Sequence, residues 1–135
     1  EQQQKVVSLT AYKVLSIELA AGLGHTFYDN ETDYETVYFD KEIQHDFASW
    51  VSGDSMEPLY PNGSVALMKQ TGFDYDGAVY ALIWNGKTYI KKVYREAEGL
   101  RLESINPDYD DLFAPYEDEP KIVGIVVGHF LPLEV

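Results

Sequence analysis

A mainly β domain with little helix is the fold class that this 135-residue sequence predicts, and three observations carry it. Short β-branched and aromatic runs recur along the chain between Gly, Pro and Asn punctuation. Two of those runs are joined by Asn-Gly, the signature of a tight hairpin. No stretch sustains a helical apolar period, and no segment repeats. The length suits one domain with a single modest core.

Taken in order, residues 1–12 are polar and then mixed, and read as a linker. Glu1-Gln2-Gln3-Gln4 has no initiator Met, cationic stretch or apolar stretch, so this stretch is not expected to be a secretory signal and an upstream segment is expected. The folded domain is expected over 13–135. Lys13 to Leu19 alternates apolar and polar over its second half and reads as a strand. Ala20-Ala21-Gly22-Leu23-Gly24 breaks it, and an acidic loop-like segment follows through Glu35. Thr36–Phe39, Phe47–Val51 and Ser64–Met68 are further strands, the last two separated by Pro58, Pro61 and Asn62-Gly63. Tyr80–Trp84 and Lys87–Val93 flank Asn85-Gly86, a type I′ turn whose two central residues need positive φ. A two-residue loop pairs Trp84 with Lys87, Leu82 with Tyr89 and Tyr80 with Lys91. Alternation then puts Lys91 and Lys92 on opposite faces. Leu100–Ile105 is another strand, an acidic aromatic loop runs from Asn106 to Pro120, and Ile122–Val127 suits a buried strand.

Composition excludes several function classes. Ten Lys and Arg stand against 23 Asp and Glu, a net charge of −13. A DNA-binding surface needs clustered cations to displace counterions, so this chain is not expected to touch nucleic acid itself. An anionic membrane would repel it, and its most apolar stretch, Ile122 to Leu133, is broken by Gly124, Gly128, His129 and Pro132. There is no cysteine, which removes disulfides, thiolate metal sites and Cys nucleophiles and suits a reducing cytoplasm. His25, His45 and His129 are scattered without metal-ligand spacing, so no metal or other cofactor is expected. Asp108, Asp110, Asp111, Glu117, Asp118 and Glu119 lack the alternation and central Gly of a calcium loop and read as a solvated acidic face. The sequons at Asn30 and Asn62 carry little information.

One constellation points to chemistry. Val51-Ser52-Gly53-Asp54-Ser55-Met56-Glu57-Pro58 follows a strand, but it lacks the last Gly of a nucleophile elbow. With no evident His base, Ser55 would need a neutral lysine, and burial against apolar neighbours is what lowers a lysine pKa far enough. Lys91 is such a candidate on the pattern, and Lys92 is not excluded by it, since both faces of the hairpin are apolar enough to host an amine.

The Ser55 box, the Asn62-Gly63 turn and Thr88-Tyr89-Ile90-Lys91-Lys92-Val93 together resemble the LexA-type self-cleaving repressors, including phage CI-type members, and at the Ser and Lys also the related type I signal peptidases. The 36-residue interval between Ser55 and Lys91 fits that family. Leu102 to Tyr109 and Ile122 to Gly128 resemble its closing strands, so the similarity spans roughly residues 13–130. The resemblance implies twisted antiparallel sheets of the LexA C-terminal type. It implies Ser55 as nucleophile, Lys91 as general base, and a scissile Ala21–Gly22 bond in a cleavage loop of about 18–26. Backbone N–H groups of Asp54, Ser55 and Met56 are then the expected oxyanion donors. It further implies a homodimer, a trigger such as a RecA filament or an antirepressor, and operator DNA bound only through an N-terminal domain ahead of the linker. Two other readings stand beside this one. The first is a dimerisation module that keeps the fold without cutting. The second is a signal peptidase, which the absence of a membrane anchor disfavours.

Overall fold

A computed structural model describes residues 8–22 and 34–134. Among the described residues, nine strands form one sheet: β1 (Thr10–Val14), β2 (Glu35–Phe39), β3 (Phe47–Trp50), β4 (Val65–Gln70), β5 (Ala78–Trp84), β6 (Lys87–Arg95), β7 (Gly99–Glu103), β8 (Leu112–Pro115) and β9 (Lys121–Phe130). A short helix, α1 (Ile17–Ala21), follows β1, and Tyr116–Asp118 form one 3₁₀ turn. The order across the sheet is β2-β1-β3-β4-β9-β5-β6-β7-β8. Every neighbouring pair is antiparallel except β1 and β3, which run parallel through the single pair Val14 and Ala48. The mainly β reading is thus borne out, in one mixed sheet.

The Asn-Gly hairpin has the expected register: Trp84 faces Lys87, Leu82 faces Tyr89 and Tyr80 faces Lys91. Asn85 and Gly86 have φ of 52° and 74°, as a type I′ turn requires. The strand expected from Lys13 to Leu19 is not what forms. β1 ends at Val14, and the Ser16 hydroxyl accepts the Leu19 N–H and caps a helix instead. Ile17 and Ala20, three apart, are the residues this helix buries, so a helical face competes successfully with the alternation. The strand also starts at Thr10, within the stretch expected to be linker. Within the acidic loop expected from Asn106 to Pro120, Leu112–Pro115 pair with β7 as an edge strand, Leu102 opposite Leu112 and Leu100 opposite Ala114. The acidic segment expected before Glu35 lies largely outside the described residues.

Three apolar clusters make the core. One gathers Leu15, Ile17, Ala20, Phe47, Val51, Met56, Met68, Ala81, Ile90 and Val123 where α1 and the Ser55 turn meet the sheet. A second holds Tyr80, Leu82, Val93, Leu100 and Leu102 across β5, β6 and β7. The third packs Tyr12, Val14, Val65, Leu67 and Phe130 at the other end of the sheet. Tyr80 is fully buried, and its hydroxyl accepts the Asp74 and Tyr75 N–H groups while donating to the Tyr75 carbonyl. A buried phenol is tolerated when its hydrogen bonds are met in this way.

Among the described glycines, backbone approach is tightest at Gly99, opposite Pro115 in the β7–β8 pair. A Cβ there would sit 2.3 Å from the Ala114 carbonyl oxygen and 2.8 Å from Pro115 Cα. Gly99→Ala should therefore destabilise the fold by about 1–3 kcal/mol, the usual cost of overpacking a fitted site. A urea titration measures this as a lower midpoint; an unchanged midpoint would contradict the close approach.

Candidate active site

The turn carrying Ser55 is built by its own backbone and fastened from one end by Asn62. Gly53 adopts φ of 83°, and its N–H donates to Asn62 Oδ1 at 2.7 Å. The Glu57 N–H donates to the Asp54 carbonyl at 3.2 Å, and the Tyr60 N–H to the Met56 carbonyl at 2.8 Å. Met56 is buried in the core beneath the turn, which presses Ser55 against β6. Asn62 thus acts as a loop fastener; its sequon gave no such hint.

Lys91, in β6, is 8% exposed, and its Nζ lies 2.7 Å from Ser55 Oγ. The same nitrogen lies 2.9 Å from Ser104 Oγ, at the end of β7. Lys92 points elsewhere, with its Nζ 3.4 Å from Glu103 Oε1 in a partly exposed ion pair. The two lysines that the pattern left open are therefore separated by geometry, and Lys91 is the one beside Ser55. The Tyr109 ring lies 5.9 Å from Lys91 Nζ, while the Tyr109 hydroxyl donates to Asp54 Oδ1 in a short hydrogen bond.

Ala21 and Gly22 are brought neither into an extended segment nor into hydrogen bonding with Ser55. Ala21 ends α1, Gly22 is its cap with φ −76° and ψ −3°, and the Gly22 N–H donates to the Glu18 carbonyl. Lys121 Nζ reaches the Ala21 carbonyl oxygen at 3.4 Å. Of the expected cleavage loop of about 18–26, residues 18–21 are helical and residues 23–26 lie outside the described residues. A cleft of about 430 Å³, bordered by Leu15, Ile17, Leu19, Tyr34 and Trp50, opens beside α1. A smaller one of about 190 Å³ reaches Ser55, Met56 and Lys91, and Ile17, Trp50, Ser52 and Thr88 border both.

Sequence reasoning did not single out Ser104, Asn106 or Tyr109. One signal for Ser104 was present: the β6–β7 register sets Lys92 opposite Glu103, so the next position puts Lys91 opposite Ser104. The histidines take ordinary positions, with His45 Nδ1 2.7 Å from the Ile43 carbonyl and His129 edge-on to Tyr60; His25 lies outside the described residues.

Residues 13–127 match the family described as peptidase S24-like. The chain is 42% identical over 77 residues to the repressor protein CI of Enterobacteria phage phi80, covering 56% of this chain and 32% of that protein. It is 33% identical over 86 residues to a LexA repressor of Citrifermentans bemidjiense, covering 62% and 43% respectively. A LexA repressor of Lacticaseibacillus casei is 30% identical over 118 residues, covering 84% of this chain and 55% of that protein. The chain thus spans about a third to a half of the length of these relatives.

Protonation follows from the packing. Burial pushes the Lys91 amine below its ordinary value of 10.5, because a charged group loses hydration there. Lys92 is held above that value, chiefly by Tyr94 and then by Glu103. Between the folded and unfolded pKa of Lys91 the unfolded chain binds more protons. Burial of this group therefore opposes folding below its folded pKa, and the opposition fades as pH rises towards 10.5. A nuclear magnetic resonance titration of lysines labelled at Cε should find Lys91 deprotonating below 10.5 and Lys92 above it. The reverse order would remove Lys91 as a base.

Proposed function

The chain belongs to the peptidase S24-like family, and from that footing we propose that it is the C-terminal regulatory domain of a transcriptional repressor that inactivates itself by Ser–Lys autoproteolysis at Ala21–Gly22. The single observation that carries this reading is the buried Lys91 amine 2.7 Å from Ser55 Oγ.

The steps follow from that contact. Neutral Lys91 takes the Ser55 hydroxyl proton as Oγ adds to the Ala21 carbonyl carbon, and the resulting oxyanion is held by N–H groups among Asp54, Ser55 and Met56. The Lys91 ammonium then gives its proton to the Gly22 nitrogen, the Ala21–Gly22 bond breaks, and Ala21 remains as an ester on Ser55. Water, activated by Lys91, hydrolyses that ester and frees Ser55. Tethering the substrate to its own catalyst replaces binding affinity with effective concentration. Small side chains at Ala21 and Gly22 let the segment enter without a deep pocket. For attack the end of α1 must unwind, releasing the Ala21 carbonyl from Lys121 and bringing it to Ser55. A partner that stabilises the unwound, docked state accelerates cutting by shifting that population. A RecA filament or an antirepressor fits this role. Dimerisation of the domain, a cytoplasmic setting and DNA contact through a separate N-terminal domain complete the proposal; no described helix is long and apolar enough to cross a membrane.

A second reading, a dimerisation module that does not cut, is favoured by the placement of Ala21 at the end of α1 with Gly22 as its cap and by the Lys121 contact. Incubation at pH 10, followed by intact mass, separates the two. Self-cleavage should yield fragments of 21 and 114 residues. Ser55→Ala and Lys91→Ala should each slow it by about a thousandfold or more, as loss of a nucleophile or its base does. Lys92→Ala should retain most of the rate. A chain that stays intact at pH 10, with or without activated RecA, would leave the non-cutting module.

A further inference from the structure

Asn106 lies just beyond β7, outside the Ser–Lys pair, and holds the Ser55 turn through both its backbone and its side chain. Its backbone N–H donates to the Ser55 carbonyl at 2.9 Å. Its Nδ2 donates to the Asp54 carbonyl at 3.1 Å. Its Oδ1 accepts the Asp108 N–H at 2.9 Å, which fixes the orientation of the amide so that nitrogen, not oxygen, faces Asp54. Tyr109 adds a further tie, through the Asp54 carboxylate.

The consequence is set by peptide geometry. The Asp54–Ser55 and Ser55–Met56 peptides are trans, and a trans peptide points its C=O and N–H in opposite directions. Two successive carbonyls drawn towards Asn106, the first of them shared with the Glu57 N–H, therefore aim the Ser55 and Met56 N–H groups the other way. The hydrogen bonds that shape the turn use neither of those N–H groups. The Asp54 N–H belongs to the preceding peptide, whose Gly53 carbonyl Asn106 does not hold.

We infer that Asn106 is a positioning residue that sets the Ser55 and Met56 N–H groups as a preformed oxyanion site for a tetrahedral centre built on Ser55 Oγ. The inference rests on the reading of Ser55 as nucleophile and narrows three expected donors to two. Asn106 touches no reacting atom; it acts by fixing two peptide planes, so that no reorganisation is needed when the negative oxygen forms.

The test uses the intact chain and a fluorophosphonate. In its reaction the Ser55 Oγ–P bond forms, fluoride leaves, and the hydroxyl proton passes to Lys91. The phosphoryl oxygen occupies the oxyanion position. Labelling should fall on Ser55, located by mass spectrometry of the digested protein. Asn106→Asp keeps the shape but replaces the Nδ2 donor with an acceptor, and should slow labelling by about 30-fold, short of the 100-fold or more lost when an oxyanion donor is deleted outright. The pH midpoint of labelling, which belongs to Lys91, should not move in the uncharged variant Asn106→Ser, which brings no carboxylate near the amine. If Asn106→Asp fails to fold, Asn106→Ser, which cannot reach the Asp54 carbonyl, should show the same slow labelling. Labelling of Asn106→Asp at the wild-type rate would overturn the assignment. So would a pH midpoint shifted in Asn106→Ser, or a wild-type Ser55 that takes no label. A chain labelled at Ser55, slowed by Asn106→Asp and yet uncut at pH 10, would support the oxyanion assignment and remove self-cleavage.

Discussion

The contact between Lys91 Nζ and Ser55 Oγ is the constraint around which this molecule is arranged. Ser55 hangs from the connection after β3 and Lys91 sits in β6, with β4, β9 and β5 between them in the sheet. Four strand spacings would separate them by about 19 Å in a flat sheet. The segment 51–64 must therefore fold back over the sheet, and the buried Met56 is what pins it there. An amine removed from water disfavours its own charge, and two hydroxyls, from Ser55 and Ser104, are the polar partners left to it. Lys92, one residue away but facing out to Glu103, is pushed in the opposite direction. A one-residue register slip in the β5–β6 hairpin would exchange the two environments. The Asn-Gly turn that fixes this register is thus part of the site, although it lies far along the strand from Ser55.

Much of this was legible from local chemistry. Asn85-Gly86 dictates a turn type, the turn dictates a register, and the register delivers Lys91 opposite Tyr80. What stayed hidden depended on contacts distant in sequence. Ser16 and Leu19 satisfy a helix cap as readily as a strand alternation, and only the packing of Ile17 and Ala20 against the core decides between them. Ser104 and Asn106 carry no chemistry of their own in a linear reading. They acquire a role because β7 pairs with β6 and its exit crosses the Ser55 turn. The Ser–Lys pair could be suspected from residue types, whereas its supports required the fold.

The acidic stretch after Asn106 shows how composition and structure diverge. Read as charge alone it is a solvated loop, and its acidic side chains are indeed largely exposed. Its apolar residues nevertheless add the edge strand β8, and Arg101 from β7 meets Asp111 at 3.2 Å and Glu96 at 2.7 Å. Such exposed pairs contribute little stability singly, but they place a cation where two carboxylates would otherwise repel.

β9 is the last of the described strands in sequence and the middle strand in the sheet, between β4 and β5. Before it is inserted, the quartets β2-β1-β3-β4 and β5-β6-β7-β8 share no backbone ladder. Ser55 belongs to the first quartet, and Lys91, Ser104 and Asn106 to the second or to its exit. A chain emerging from the ribosome therefore exposes Ala21–Gly22 and Ser55 well before the strand that links their half of the sheet to that of Lys91 has been made. Under the proposed function, a nascent chain, or one truncated before β9, is spared from cutting itself, because the arrangement of strands withholds the reaction until β9 has been made.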